Sequence, residues 1–150
     1  MIDKYRNSDE LIQFARGNIS ANICDVSAAI TNMGSSMRLF LKHFDNFKIN
    51  NADLHSRLQV LIDSCEYINA ADLCHSVKGL AGMLALNDLY THLIELELAL
   101  KNAAASGAAT GAATDASGSE TAASGVSAEA LYDGLDRIRN DMQEVCKIQF

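Results

Sequence analysis

NAADLCHSVKGLAGM, residues 69–83, repeats apolar residues at helical intervals, and a histidine, a lysine and two glycines gather along one side of the helix this predicts. At about 100° per residue, Lys78, Gly79, Gly82 and Leu86 fall within roughly 60° of His75. Ala70, Leu73, Val77, Leu80, Ala81 and Leu84 cluster on the opposite side. The apolar side therefore faces a core and the histidine faces outward. A glycine inside a helix costs about 1 kcal/mol relative to alanine, and core packing explains neither glycine here. Both read as clearance for a bulky partner that brings its own reactive group close to the imidazole. Lys78, one turn on, supplies positive charge for an anion held there, and phosphate is the anion that suits it.

Outward from this stretch the same periodicity continues. The chain has no proline and no strand-like alternation, and apolar residues recur every three or four positions, so it reads as all-helical. Leu11, Ile12, Phe14 and Ala15 mark a leading helix, and Val26, Ala29, Ile30 and Met33 a second one before Gly34; residues 1–33 form an N-terminal helical extension. Met37, Phe40, Leu41, Phe44 and Phe47 make a firm stripe, and Leu54, Leu58, Leu61, Ile62 and Cys65 make the next. The linker KINN between them permits an antiparallel hairpin.

Asn69 is placed to cap the histidine helix and Asn87 the one after it. In that following helix Leu89, Leu93, Leu96 and Leu100 form the core stripe, and Glu97 lies about 40° from Leu93 on the same wheel, pointing toward its neighbours. Residues 103–127 hold almost only Ala, Gly, Ser and Thr, too little apolar bulk to offset the entropy of ordering them, and read as a flexible, dispensable loop inside the domain. Ser127 then caps a last helix with the stripe Ala128, Leu131, Leu135, Ile138, Met142 and Val145. The expected fold is all-α: a single domain over residues 1–150, built as an antiparallel up-down-up-down four-helix bundle with short N-terminal helical additions.

Composition narrows the function. A net charge of −7 and a pI near 4.9 argue against nucleic acid, which requires a basic face. No stretch approaches the roughly 18–20 apolar residues of a membrane helix, and the polar start MIDKYRNSDE is unlike a signal peptide, so a cytoplasmic location is expected. The acidic surface and narrow stripes favour a monomer. Cys24, Cys65, Cys74 and Cys146 form no CxxC pair and lack the spacing of a zinc or redox motif; they read as reduced, small core residues, three of them among apolar helical neighbours. No metal site is expected.

The string His75, Ser76, Val77, Lys78, Gly79, Leu80, Ala81, Gly82, followed by Leu89 and the pair Leu96 and Glu97, resembles the histidine-containing phosphotransfer (HPt) domain of bacterial multistep phosphorelays. Upstream, ICDVSAAITNMGSSMRLFLKHF is similar to the leading segment and first long helix of HPt domains at the ends of hybrid sensor kinases. The likeness covers roughly residues 22–102. The family usually has glycine where this chain has Ala85, so the turn after the histidine helix is expected to be built differently.

The resemblance implies that His75 takes a phosphoryl group from a receiver-domain phospho-aspartate and passes it to the aspartate of another receiver. Phosphoryl transfer needs alignment and charge compensation; Lys78 would balance charge on the phosphoryl oxygens, and the family implies that Glu97 accepts a hydrogen bond from the far imidazole nitrogen. Gly79, Gly82 and Leu86 would form the docking face. His43, His55 and His92 lack such surroundings, with His92 bordering the site. No nucleotide-binding loop of the P-loop or kinase type occurs, so no kinase activity of its own is expected. The implied partners are response-regulator receiver domains and a hybrid histidine kinase; no cofactor is expected on this chain, Mg²⁺ being brought by the receiver. The alternative is a receiver-binding helical adaptor without phosphotransfer. A hydrolase or metal enzyme lacks paired carboxylates or a nucleophile with its base.

Overall fold

The apolar stripes wind into helices because each gains a buried face when laid against another. The computed structural model describes residues 4–106 and 128–150, and these are all-helical, with no strand among them. The helices are α1 (Ser8–Asn18), α2 (Val26–Asn32), α3 (Met37–Asn51), α4 (Leu54–Asp63), α5 (Tyr67–Met83), α6 (Asn87–Ala105) and α7 (Ala128–Lys147). No helix among the described residues is long and apolar enough to cross a membrane.

Local chemistry sets the boundaries. Asn7, Asp25 and Ser36 cap α1, α2 and α3, each side-chain oxygen accepting from the backbone N–H three residues on. At the other ends, α2, α4 and α5 close with the paired hydrogen bonds of a Schellman motif, as in Leu86 N–H to Ala81 O and Ala85 N–H to Gly82 O after α5. Gly34, Cys65 and Ala85 occupy the left-handed position at these three ends, with φ of 68°, 59° and 51°. The turn after the histidine helix thus takes the conformation that favours glycine, with alanine in it, rather than a different construction.

Several boundaries depart from expectation. The KINN segment is no linker: Lys48–Asn51 continue α3, and only Ala52 and Asp53 separate it from α4. Ala52 keeps helical backbone, and Arg57 bridges the step by donating to Asn50 O, Asn51 Oδ1 and Asp53 Oδ1. The chain therefore runs on instead of turning back. Lys48 Nζ, near the end of α3, donates to Ile148 O, and Tyr132 donates its hydroxyl hydrogen to Asp63 at the end of α4, so the stretch from Lys48 through α4 runs antiparallel to α7. Asn69 is not the cap of α5, which begins two residues earlier with Tyr67 buried; it bonds Glu66 from inside the first turn. Asn87 likewise is the first residue of α6, and its side chain donates to Ala21 O.

Packing then follows. α5 and α6 lie antiparallel along most of their length, α6 packs on α7, and α4 contacts both α5 and α7. Fully buried Leu58, Leu89, Leu93, Leu100, Leu135 and Ile138 fill the space between them. The N-terminal extension is pinned to the α5–α6 turn: Asp25 N–H donates to Ala85 O and Asp88 N–H to Asn22 O. Phe150 packs against Phe40 and Phe44, with ring centroids 5.4 and 4.9 Å apart. α6 extends to Ala105 and buries Ala103, so the start of the expected loop belongs to the core helix. The remaining loop residues, 107–127, and the Ser127 cap lie outside the described residues.

Of the four cysteines, two rather than three are core residues. Cys24 and Cys74 are buried, and burial pushes both thiols up to about 12; Cys65 and Cys146 are exposed, and all four are free.

Candidate functional site

The antiparallel register of α5 and α6 decides which side chains meet. Near the turn Gly82 faces Tyr90, and farther along His75 faces Glu97. The helices face each other closely enough that His75, Lys78 and Glu97 form one cluster.

Glu97 is the centre of it. Its carboxylate is buried at 5% exposure, which is tolerable for a charge only if every oxygen is engaged. Oε1 lies 3.0 Å from His75 Nδ1 and accepts from Lys101 Nζ at 2.8 Å, while Oε2 accepts from Lys78 Nζ at 2.7 Å. Burial alone would push the carboxyl up, but the hydrogen bonds from Lys101, Lys78 and His75 outweigh it and hold the group down to about 2. An ionised carboxylate can only accept. The contact with Nδ1 therefore requires the proton on Nδ1, and in the neutral ring this leaves the Nε2 lone pair free.

His75 itself is two-thirds exposed, at 67% of its side-chain surface. Gly79 beside it is open: a Cβ there would meet nothing within 4 Å. Gly82 is different, because its Cβ would come within 3.1 Å of the Tyr90 ring. That glycine makes room for a side chain of the same molecule, where clearance for a partner was expected. Leu86, expected on a docking face, is fully buried. The helix ends at Met83 and the left-handed Ala85 redirects the chain, so the wheel that put Leu86 beside His75 does not extend that far. Leu80, expected in the core, is exposed.

The surface on this side carries several exposed apolar residues beside the exposed Asp72, Ser76 and Lys101. Ile68, a wheel position about 20° from His75, is exposed, as are Met83 on α5 and Tyr90, Ile94 and Leu98 on α6. Of the other histidines, His43 is exposed and His55 half-buried. His92 does not border the site: it turns to α7, where its Nδ1 meets Asp141. Among the described residues, no group of three or more His, Cys, Asp or Glu side chains could hold a metal ion.

Lys101 was missed by the sequence reading. Its signal was present, a lysine four residues after a glutamate on one helix, but that spacing marks ordinary surface pairs as well. Only the burial of Glu97 distinguishes it. Comparison with family models, with curated proteins and with solved structures gave no match.

Proposed function

We propose that this chain is a phosphorelay carrier in which His75 receives a phosphoryl group from a receiver-domain phospho-aspartate and passes it to another receiver. The observation that carries the reading is the buried, ionised Glu97 bound to Nδ1 of an exposed imidazole, with Lys78 on its other oxygen. In the forward step the Nε2 lone pair forms a bond to phosphorus, the bond from phosphorus to the aspartate oxygen breaks, and the carboxylate leaves with the electron pair. The ring becomes positively charged while its Nδ1–H stays on Glu97, which stabilises that charge from a fixed position. Lys78 compensates the phosphoryl oxygens. The open surface at Gly79 and the apolar residues Ile68, Met83, Tyr90 and Ile94 support docking of a receiver face around the imidazole.

The packing of α4, α5, α6 and α7 supports a four-helix bundle as the scaffold, with α3 leading into α4 through Ala52 and Asp53. The chain supplies the acceptor, and the receiver supplies the aspartate and Mg²⁺.

A panel of receiver domains charged with radiolabelled acetyl phosphate and Mg²⁺ tests this. Transfer should give an acid-labile, base-stable adduct, absent in His75→Gln and formed more slowly in Lys78→Ala; ATP with Mg²⁺ alone should give none. Label in His75→Gln would disprove the assignment. Receiver binding without any transfer to the wild-type chain would replace it with the adaptor reading.

A further inference from the structure

Phosphotransfer as read above gives tasks to Lys78 and Glu97 but none to Lys101. Yet Lys101 donates to Glu97 Oε1 at 2.8 Å, the same oxygen that receives His75 Nδ1 at 3.0 Å. Lys78 holds the other oxygen at 2.7 Å. The two lysines come from different helices and differ in access: Lys78 is largely covered between α5 and α6, whereas Lys101 is more than half exposed on α6.

Lys78 is bound to Glu97 at rest, and compensating a phosphoryl group would draw it away. A buried carboxylate that loses its only cation is strongly penalised, because the Coulombic return on its desolvation disappears. With a single lysine, the departure of Lys78 would strand Glu97 while the imidazole is still neutral. A second lysine removes that conflict. We propose that Lys101 is a positioning residue that keeps Glu97 ionised and fixed under His75 while Lys78 exchanges Oε2 for the phosphoryl oxygens. The exchange moves hydrogen bonds only: Lys78 keeps its protons, Glu97 stays charged, and the Nδ1–H contact persists. Consistent with this, among the influences that lower Glu97 the hydrogen bond from Lys101 ranks first.

The inference rests on His75 being a phosphoacceptor, and its test separates the two. Radiolabelled phosphoramidate is the donor: Nε2 forms its bond to phosphorus, the donor's P–N bond breaks, and ammonia leaves with the electron pair. Rates of acid-labile labelling are measured for wild type, Lys101→Met, Lys78→Ala, the double variant and Lys101→Arg. Lys101→Met should be about five- to tenfold slower, and Lys101→Arg should approach wild type. In the Lys78→Ala background Lys101 is the last lysine on Glu97, so Lys101→Met should slow labelling by a larger factor there than in the wild type. Carboxyl-carbon NMR of Glu97 gives a second readout that needs no donor; its titration, near pH 2 in the wild type, should move upward in Lys101→Met. A wild-type rate in Lys101→Met, no slowing by Lys101→Met in the Lys78→Ala background, or an unmoved Glu97 titration overturns the role of Lys101 while leaving His75 as acceptor. A wild-type chain that takes no label on His75 overturns the carrier reading and this inference together.

Discussion

Glu97 Oε1 lies 3.0 Å from His75 Nδ1, joining a buried carboxylate to an imidazole that is mostly in solvent. The pair is asymmetric in its consequences. Removing the imidazole leaves Glu97 with two lysines, so His75→Gln should stay within about 0.5 kcal/mol of wild-type stability, as exposed substitutions do, and melting curves check this.

Removing the carboxylate is the costly change, and its cost depends on pH. The folded carboxyl titrates near 2, below its ordinary value of 4.5, so its contribution is present above about 4.5 and is lost as pH falls through about 2. Urea midpoints of wild type and Glu97→Gln should therefore differ most at neutral pH and converge as pH drops from about 5 to about 2. A constant gap across that window would mean that Glu97 is not ionised by its partners in the folded protein.

Gly79 and Gly82 should respond differently to the same substitution. Gly79→Ala meets open space and should raise stability by about 1 kcal/mol through helix propensity. Gly82→Ala must displace the Tyr90 ring, which lies 3.1 Å from the new Cβ, and should gain less or lose. Thermal unfolding of the two variants side by side decides it; equal gains would show that the ring moves freely. Gly79→Trp should fold and yet block transfer from a receiver.

Leu86→Ala should be a folding defect rather than a docking defect. The side chain is fully buried, and truncating a core leucine costs about 2–5 kcal/mol. Denaturant unfolding should show that loss, and transfer rates corrected for the folded fraction should be close to wild type.

Cys65 sits in the left-handed region at φ 59° with its side chain exposed. Relief of about 1–2 kcal/mol of backbone strain by glycine is offset by about 0.4–1 kcal/mol of unfolded-state entropy. Cys65→Gly should therefore be more stable by up to about 1 kcal/mol, seen as a raised melting temperature. The buried Ala85 would lose core contacts by the same change and should gain less.

The all-helical class was legible because the stripes of α3, α6 and α7 are long and clean. The meeting of His75 with Lys78 and Glu97 was legible in part, since both helices carry recognisable faces and a short connection forces them antiparallel. What escaped was decided by context. Asn50 and Asn51 have the composition of a linker, yet Asn51 is buried and donates to Phe47 O, and Arg57 supplies partners that a turn would have had to provide. Ala85 hides a helix stop that glycine would have announced, and so Leu86 was carried along a wheel beyond its helix. Asn69 looks like a cap, but burial of Tyr67 pulls the helix start upstream of it. Leu80 shows the reverse limit: an apolar side chain on a plausible core face that tertiary packing leaves in water.

The turn from Leu84 to Leu86 also acts as a ruler. His75 stands ten residues before Ala85 and Glu97 twelve after it, so the two meet about 15–18 Å from the turn along their helices. One residue added to either arm would swing its side chain by about 100° and part the pair, although nothing at the site itself had changed. Asp25 grips Ala85 and Asn22 grips Asp88 at the origin of that scale. The N-terminal segment thereby holds the reference point for an imidazole far from it along the helix.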